Sequence, residues 1–268
     1  MDITTVTSSA PGLLSNTHLV GTPDGIIVVD PPMLVSDARA VRARLDQLGR
    51  PLAAFIYTHP HPDHVNGATE IRGTAGVPVY ATPDTDRISR MIDGPKREFW
   101  TPAFGEDYPR ATTFATVLVK GGTPVKIAGL WFDVHDIGPG ECQTASVWTS
   151  GDAAFVGDLV YSHAHPWFFE ARTDTWLDQL ARVRSLLAGK ALYVGHGATG
   201  TVELLDAQAE YIRTYQKAVM ELASSDGTLT DTAKDALTRR MTQHWPSAPL
   251  EDLIQMSADP VAAELANR

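Results

Sequence analysis

Thr58-His59-Pro60-His61-Pro62-Asp63-His64 places four strong metal-ligand side chains within six positions, with two prolines stiffening the loop between them. The preceding run, Ala53-Ala54-Phe55-Ile56-Tyr57, reads as a buried strand, and Val65-Asn66-Gly67-Ala68 opens a helical stretch. A strand that delivers His-x-His-x-Asp-His into a turn can aim imidazole and carboxylate at two adjacent points, the arrangement a two-metal hydrolytic site requires. A lone histidine on a loop is ordinarily just solvated, whereas four ligand types at this spacing behind a strand are a specific signal.

Working outward, residues 16–21 and Ile26–Val29 flank a Thr22-Pro23-Asp24-Gly25 turn and predict a hairpin that ends at Asp30. Ser36 or Asp37 is expected to cap a helix reaching Leu48, stopped by Gly49. Short helices near 67–75 and 84–93 flank a strand at Val77–Tyr80. Residues 94–113, with Gly94, Pro95, Pro102, Gly105 and Pro109 among Phe99, Trp100, Phe104 and Tyr108, read as a long aromatic loop. Strand signals return over 116–120, 124–128, 130–135, 145–150 and 153–157. A helix over 175–187 leads to a strand at 191–195, and residues 201–268 predict three or four helices. This order, β-rich, α, β-rich, α, implies an α/β fold in which two β-sheets pack together with helices outside, an αββα sandwich.

Bulk properties narrow the function. The chain has 268 residues, 43% hydrophobic and 20% charged, enough for a sizeable core. A net charge of −10 without a basic stripe argues against nucleic acid as a partner. No stretch approaches the ~18 apolar residues of a membrane span, and Met1-Asp2-Ile3-Thr4-Thr5 lacks the pattern of a signal peptide. Cys142 is the single cysteine, so no intramolecular disulfide forms and a reducing cytoplasm is the expected compartment.

Two further ligand types stand at the exits of apolar strands. Gly157-Asp158 follows Ala153-Ala154-Phe155-Val156, and Gly195-His196-Gly197 follows Ala191-Leu192-Tyr193-Val194. With the first loop, these motifs resemble the metallo-β-lactamase-fold metallo-hydrolase superfamily over roughly residues 13–200. The resemblance implies a catalytic domain over 1–200 and leaves 201–268 as a helical extension packed on it, a lid or a homodimer interface. One position departs from the commonest pattern. The superfamily usually has a histidine between the first loop and the aspartate, but here the turn reads Gly138-Pro139-Gly140-Glu141-Cys142-Gln143. Glu141 is the favoured substitute, as in alkylsulfatases of the superfamily. His135, Cys142 and Gln143 are alternatives, as is a weak or empty first site.

The implied ligand set is His59, His61 and Glu141 for one metal and Asp63, His64 and His196 for the other, with Asp158 bridging. The implied cofactor is a pair of divalent metal ions, zinc in the first place. A carboxylate at 141 lowers the metal's Lewis acidity and makes manganese or iron more competitive. The implied activity is metal-dependent hydrolysis, by a metal-bridged hydroxide, of an ester-like bond (thioester, lactone, ester or β-lactam) in a small-molecule substrate. Asp63 is expected to orient the nucleophile, and His165, on the loop after Asp158, is the candidate proton donor beside Tyr161 and His163. Trp167, Phe168 and Phe169 are expected to supply an apolar wall. An alkylsulfatase-like sulfate-ester hydrolase and a metal-poor binding protein of the same fold are the alternatives.

Overall fold

A computed structural model describes residues 1–224 and 227–268. Eleven strands form two sheets among these residues. The first sheet holds, in spatial order, β1 (Asp2–Thr7), β2 (Asn16–Thr22), β3 (Gly25–Val29), β4 (Leu52–Ile56), β5 (Val79–Ala81) and β6 (Val117–Leu118). It is antiparallel up to β3 and parallel from there. The second sheet runs from β7 (Pro124–Ile127) through β8 (Leu130–Gly138), β9 (Ala145–Ser150) and β10 (Ala153–Ser162) to β11 (Ala191–Gly197), with only the last pair parallel.

The strand period of two explains the layers. Ile27 and Val29 of β3 and Ala54 and Ile56 of β4 face Phe132, Trp148 and Phe155 of the second sheet, forming the inter-sheet core. Ile26, Val28 and Phe55 point the other way, against α1 (Val35–Leu48) and α2 (Ala68–Arg72). On the opposite side, Ala154 and Val156 of β10 pack on α4 (Thr173–Leu187) and α5 (Leu204–Leu222). The remaining C-terminal helices, α6 (Asp231–His244), α7 (Asp252–Met256) and α8 (Ala258–Ala266), add Leu237, Ile254 and Val261 to that same cluster. Both sheets are mixed and helices cover both outer faces, the αββα arrangement expected from the order of the elements.

Two expectations change. Residues 94–113 are not one long loop: α3 runs unbroken from Pro83 to Phe104 through Gly94, Pro95 and Pro102. The proline signals yield to tertiary contacts. Arg97 binds Asp93 and Thr112 and donates to the Pro109 carbonyl, while Trp100 stacks on Phe104 against Met33, Leu34 and Tyr108. Strand β10 continues five residues past Gly157 to Ser162, so Asp158 lies inside a strand rather than in the turn after it. A strand not read from the sequence, β1, pairs along β2; its residues carry no strong apolar alternation.

The start of α1 is capped from a distance. Neither Ser36 nor Asp37 caps it. Leu34 occupies the cap position, and the Ser36 amide and hydroxyl donate to the Asp107 carboxylate at 2.8 and 2.7 Å. Asp37 instead accepts from the amide and hydroxyl of Ser9. An Asp107→Ala variant is expected to lose about 1 kcal/mol of stability, the usual value of a helix cap. Urea denaturation measures it, and a midpoint equal to that of the parent would show that water replaces the Asp107 contacts at no cost.

Candidate metal centre

The site gathers at one end of the strands where the two sheets meet. β4 delivers the 58–64 loop, whose Pro62–His64 turn is a short 3-10 segment. β10 delivers Asp158 at an irregularity: the β10–β11 ladder shifts register on either side of Gly157, which is in the left-handed region at φ 51°. Such bulges re-aim a side chain out of the regular alternation. β11 ends on His196 and Gly197. The Gly138–Gly140 turn after β8 is gripped by Gln179 of α4, whose amide donates to the Gly138 carbonyl at 2.9 Å, and this turn presents Glu141.

Two groups of ligand-type atoms result, each within 4.8 Å of one another: His59, His61, Glu141 and Asp158 in one, Asp63, His64 and His196 in the other. All seven residues are buried. His196 Nε2 stands 3.3 Å from Asp158 Oδ2 and 3.4 Å from Asp63 Oδ2, and His64 Nε2 lies 3.4 Å from both Asp158 Oδ1 and Asp63 Oδ2. A further group combines Asp30, His59 and His64. Asp30 is already engaged, because its carboxylate accepts from the Thr58 amide at 2.8 Å and the Thr58 hydroxyl at 2.6 Å.

Each imidazole has one nitrogen turned outward to a protein group and one turned inward. His59 Nδ1 bonds to the Thr58 hydroxyl oxygen (3.0 Å), which itself donates to Asp30. His196 Nδ1 donates to the Leu13 carbonyl (2.9 Å). His64 Nδ1 faces Asp30 at 3.5 Å, and His61 Nε2 bonds to Glu170 at 3.1 Å. This is the arrangement that fixes the tautomer of a metal-binding histidine.

The inward atoms test whether cations fit. His59 Nε2, His64 Nε2, both Glu141 oxygens and Asp158 Oδ1 are buried without a hydrogen-bond partner. Unpartnered buried polar atoms are rare and costly, and several aimed at one space match the donor set of a divalent cation. Charge agrees. Burial pushes the Glu141 carboxyl well up, and Asp158 and Glu170 add to it, so no protein cation compensates it. Burial holds His59 down to about 3, so it stays neutral. Burial works the same way on His196, but Asp158 and Asp63 outweigh it and carry that imidazole up to about 9.

Above the cage lies a small cleft open to solvent. His61, Asp63, Asp158 and His196 form its floor, and Leu13, Trp100, Trp167 and Leu253 supply apolar walls. Tyr161 also borders it. The Tyr161 hydroxyl donates to Asp158 Oδ2 at 2.7 Å, and the ring stacks on His196 at 4.8 Å. Lys96 stands at the cleft with its ammonium 5.3 Å from the Trp167 ring centre.

The other sequence candidates lie elsewhere. His165 is a correction: it is buried away from the cleft lining, its Nδ1 2.6 Å from the Tyr211 hydroxyl, a placement that removes it as proton donor to a substrate. His163 is exposed and bonds to the Pro246 carbonyl. Cys142 is buried, its thiol donating to the Thr144 carbonyl, and His135 lies on β8 outside both groups. Of the expected aromatic wall, Trp167 faces the cleft, Phe168 is in the core and Phe169 is exposed. Lys96, Glu170, Leu13 and Leu253 escape sequence reasoning. No local motif marks them, since each reaches the site only through the packing of α3, the 163–172 segment, the turn before β2 or α7.

An αββα sandwich with this cage at its strand ends defines a metallo-hydrolase-type fold. The sequence profile of the metallo-beta-lactamase superfamily matches residues 10–196, and the chain belongs to that superfamily. It is similar to a hydroxyacylglutathione hydrolase of Albidiferax ferrireducens, 27% identical over 239 residues that span 87% of this chain and 76% of that protein. A 50-residue stretch is 40% identical to a linear primary-alkylsulfatase of a Pseudomonas species, covering 18% of this chain and 10% of that protein. A metallo-beta-lactamase family protein from Thermus thermophilus shares the fold, with a TM-score of 0.69 at 17% identity over 99% of this chain and 93% of that one.

Two glycines let the cage close. A Cβ on Gly195 would sit 1.8 Å from Asp158 Oδ1 and 2.9 Å from His64 Cε1, and one on Gly157 would sit 2.3 Å from Thr58 Oγ1. In protein incubated with a divalent cation, Gly195→Ala is therefore expected to lower the amount bound while the far-ultraviolet circular dichroism is retained. Elemental analysis after gel filtration reads the outcome, and an unchanged metal content would mean that Asp158 can yield without loss.

Proposed function

We propose that this protein is a hydrolase dependent on two divalent cations, zinc in the first place, that cleaves a thioester, ester, lactone or β-lactam of a small molecule carrying an apolar group. One observation supports this above the others: seven buried ligand-type side chains converge, and several of their inward atoms are unpartnered. The similarity to hydroxyacylglutathione hydrolases favours the thioester among these bonds. His59, His61 and Glu141 would hold one cation and Asp63, His64 and His196 the other, with Asp158 between them. Bound there, the cations would supply Lewis-acid polarisation of the substrate oxygen and an acidified water.

The chain's own groups do the rest. Asp63 lies on the cleft floor and accepts the hydrogen bond that orients the attacking water. Tyr161 holds Asp158 in place through its hydroxyl. Leu13, Trp100, Trp167 and Leu253 seat the apolar part of the substrate and exclude bulk water from the floor. Residues 1–200 carry the chemistry, and the 201–268 helices share the core of the second sheet and lend Leu253 to the wall. The single cysteine, free and buried, suits a reducing cytoplasm.

A second reading, sulfate-ester hydrolysis, is favoured by the carboxylate at 141 within the cage and by the 50-residue similarity to an alkylsulfatase. One panel separates the two: zinc- and manganese-loaded enzyme assayed on chromogenic thioesters, esters, lactones, β-lactams, phosphodiesters and sulfate esters. Turnover of acyl substrates above sulfate esters is expected, and inactivity on every member with two cations bound would sink both. Asp63→Asn is expected to lower kcat/KM by about 10²–10⁴, the usual contribution of a positioned proton acceptor. Steady-state kinetics on the best panel substrate measures this.

Cation uptake is expected to release protons. His196, near 9 without a cation, is protonated at pH 7, and imidazole binds a cation only when neutral. Affinity should therefore rise with pH up to about 9. Calorimetry in two buffers of different ionisation enthalpy reads the released protons, and identical heats in both would contradict it.

A further inference from the structure

We propose that Glu170 is a positioning residue for the cation site, acting through His61; the inference rests on the two-cation reading above. His61 is the one cage histidine whose inward nitrogen is Nδ1, which stands 3.4 Å from Glu141 Oε1. Its outward Nε2 meets Glu170 Oε1 at 3.1 Å. An ionised carboxylate can only accept, so this contact places the imidazole proton on Nε2 and leaves the Nδ1 lone pair facing Glu141 and Asp158. The isolated ring favours that tautomer only modestly, and without Glu170 a fraction would present an N–H where a ligand is needed.

Glu170 is not a free surface carboxylate. Its side chain is 18% exposed, and Arg172 Nε lies 3.7 Å from its second oxygen. The segment that carries it is pinned by the C-terminal helices. The His165 amide donates to the Pro249 carbonyl at 3.0 Å, the Phe168 amide to Ser257 Oγ at 2.9 Å, and the Thr173 hydroxyl to Glu264 Oε2 at 2.8 Å. The other cage histidines take their outward partners from the first sheet and the turn before β2, namely Thr58, Asp30 and the Leu13 carbonyl. Of the cage histidines only His61 depends on an acceptor held by residues 249–264, so the C-terminal extension sets the tautomer of a cage ligand.

The test uses the full-length protein, Zn²⁺ alone as the ligand, and the variants Glu170→Ala and Glu170→Gln. Glu170→Ala should weaken one of two Zn²⁺ binding steps about 10–100-fold, the usual effect of removing an outer carboxylate. This is read by competition with a chromophoric chelator, with the melting temperature of the metal-free protein unchanged. Glu170→Gln, whose amide oxygen accepts the same bond, should recover most of that loss. In the parent protein, long-range ¹H–¹⁵N spectra should place the His61 proton on Nε2. The proposal is overturned by parent-like affinity for both Zn²⁺ in Glu170→Ala, by equal weakening of both steps with a lowered melting temperature, or by a His61 proton on Nδ1. A His61→Ala variant separates the levels: if it still binds two Zn²⁺ as tightly as the parent, the two-cation cage itself fails.

Discussion

Three buried carboxylates, Asp63, Glu141 and Asp158, converge on four imidazoles with no lysine or arginine inside the cage. That imbalance is the constraint around which this end of the molecule is arranged. Buried carboxylates are costly unless a positive charge meets them. Here histidines alone face them, and several of the facing atoms have no hydrogen-bond partner. The polar framework behind the cage, from Asp30 through Thr58 to His59 and from the Leu13 carbonyl to His196, devotes its hydrogen bonds to orientation. None of these bonds neutralises charge; within the chain only the cage imidazoles do, His196 above all, and a bound divalent cation would meet the rest.

The sandwich makes this convergence feasible. Packing two sheets face to face brings the ends of β4, β10 and β11 together although they are far apart in sequence. Hydrophobic alternation fixes each strand's register, since a one-residue slip would turn Ile27 and Val29 away from the inter-sheet core. Register in turn fixes the height at which each polar exit residue sits. Where the regular ladder would misdirect a ligand, the structure departs from it: the shifts around Gly157 turn Asp158 into the cage.

The cage is largely legible in the sequence and its surroundings are not. His59, His61, Asp63 and His64 lie in one rigid turn, so local spacing alone announces them. Asp158 and His196 each stand beside glycine behind an apolar run, a weaker signal that gains weight from the first loop. Glu141 is visible as the polar residue in a Pro-Gly turn. Glu170 and Lys96 are silent because nothing in their own neighbourhoods distinguishes them from solvated charges. The long α3 is hidden for a related reason. Gly94-Pro95 and Pro102 are strong local breakers, and the Arg97 contacts and Trp100 packing that override them involve residues more than ten positions away as well as neighbours in the helix. His165 misleads because its position after Asp158 suggests proximity, whereas the course of the chain turns its ring inward to Tyr211.

The cleft walls and the cage come from different parts of the scaffold. Strand ends and their tight turns supply the cage, while Trp100 and Lys96 ride on α3, Trp167 on an irregular segment and Leu253 on α7. Evolution can therefore retailor what the cleft admits by drift in peripheral elements, leaving the cage itself untouched. The exception is the Trp167 segment, which also bears Glu170: changes there would be filtered twice, once for what they do to guests and once for what they do to His61.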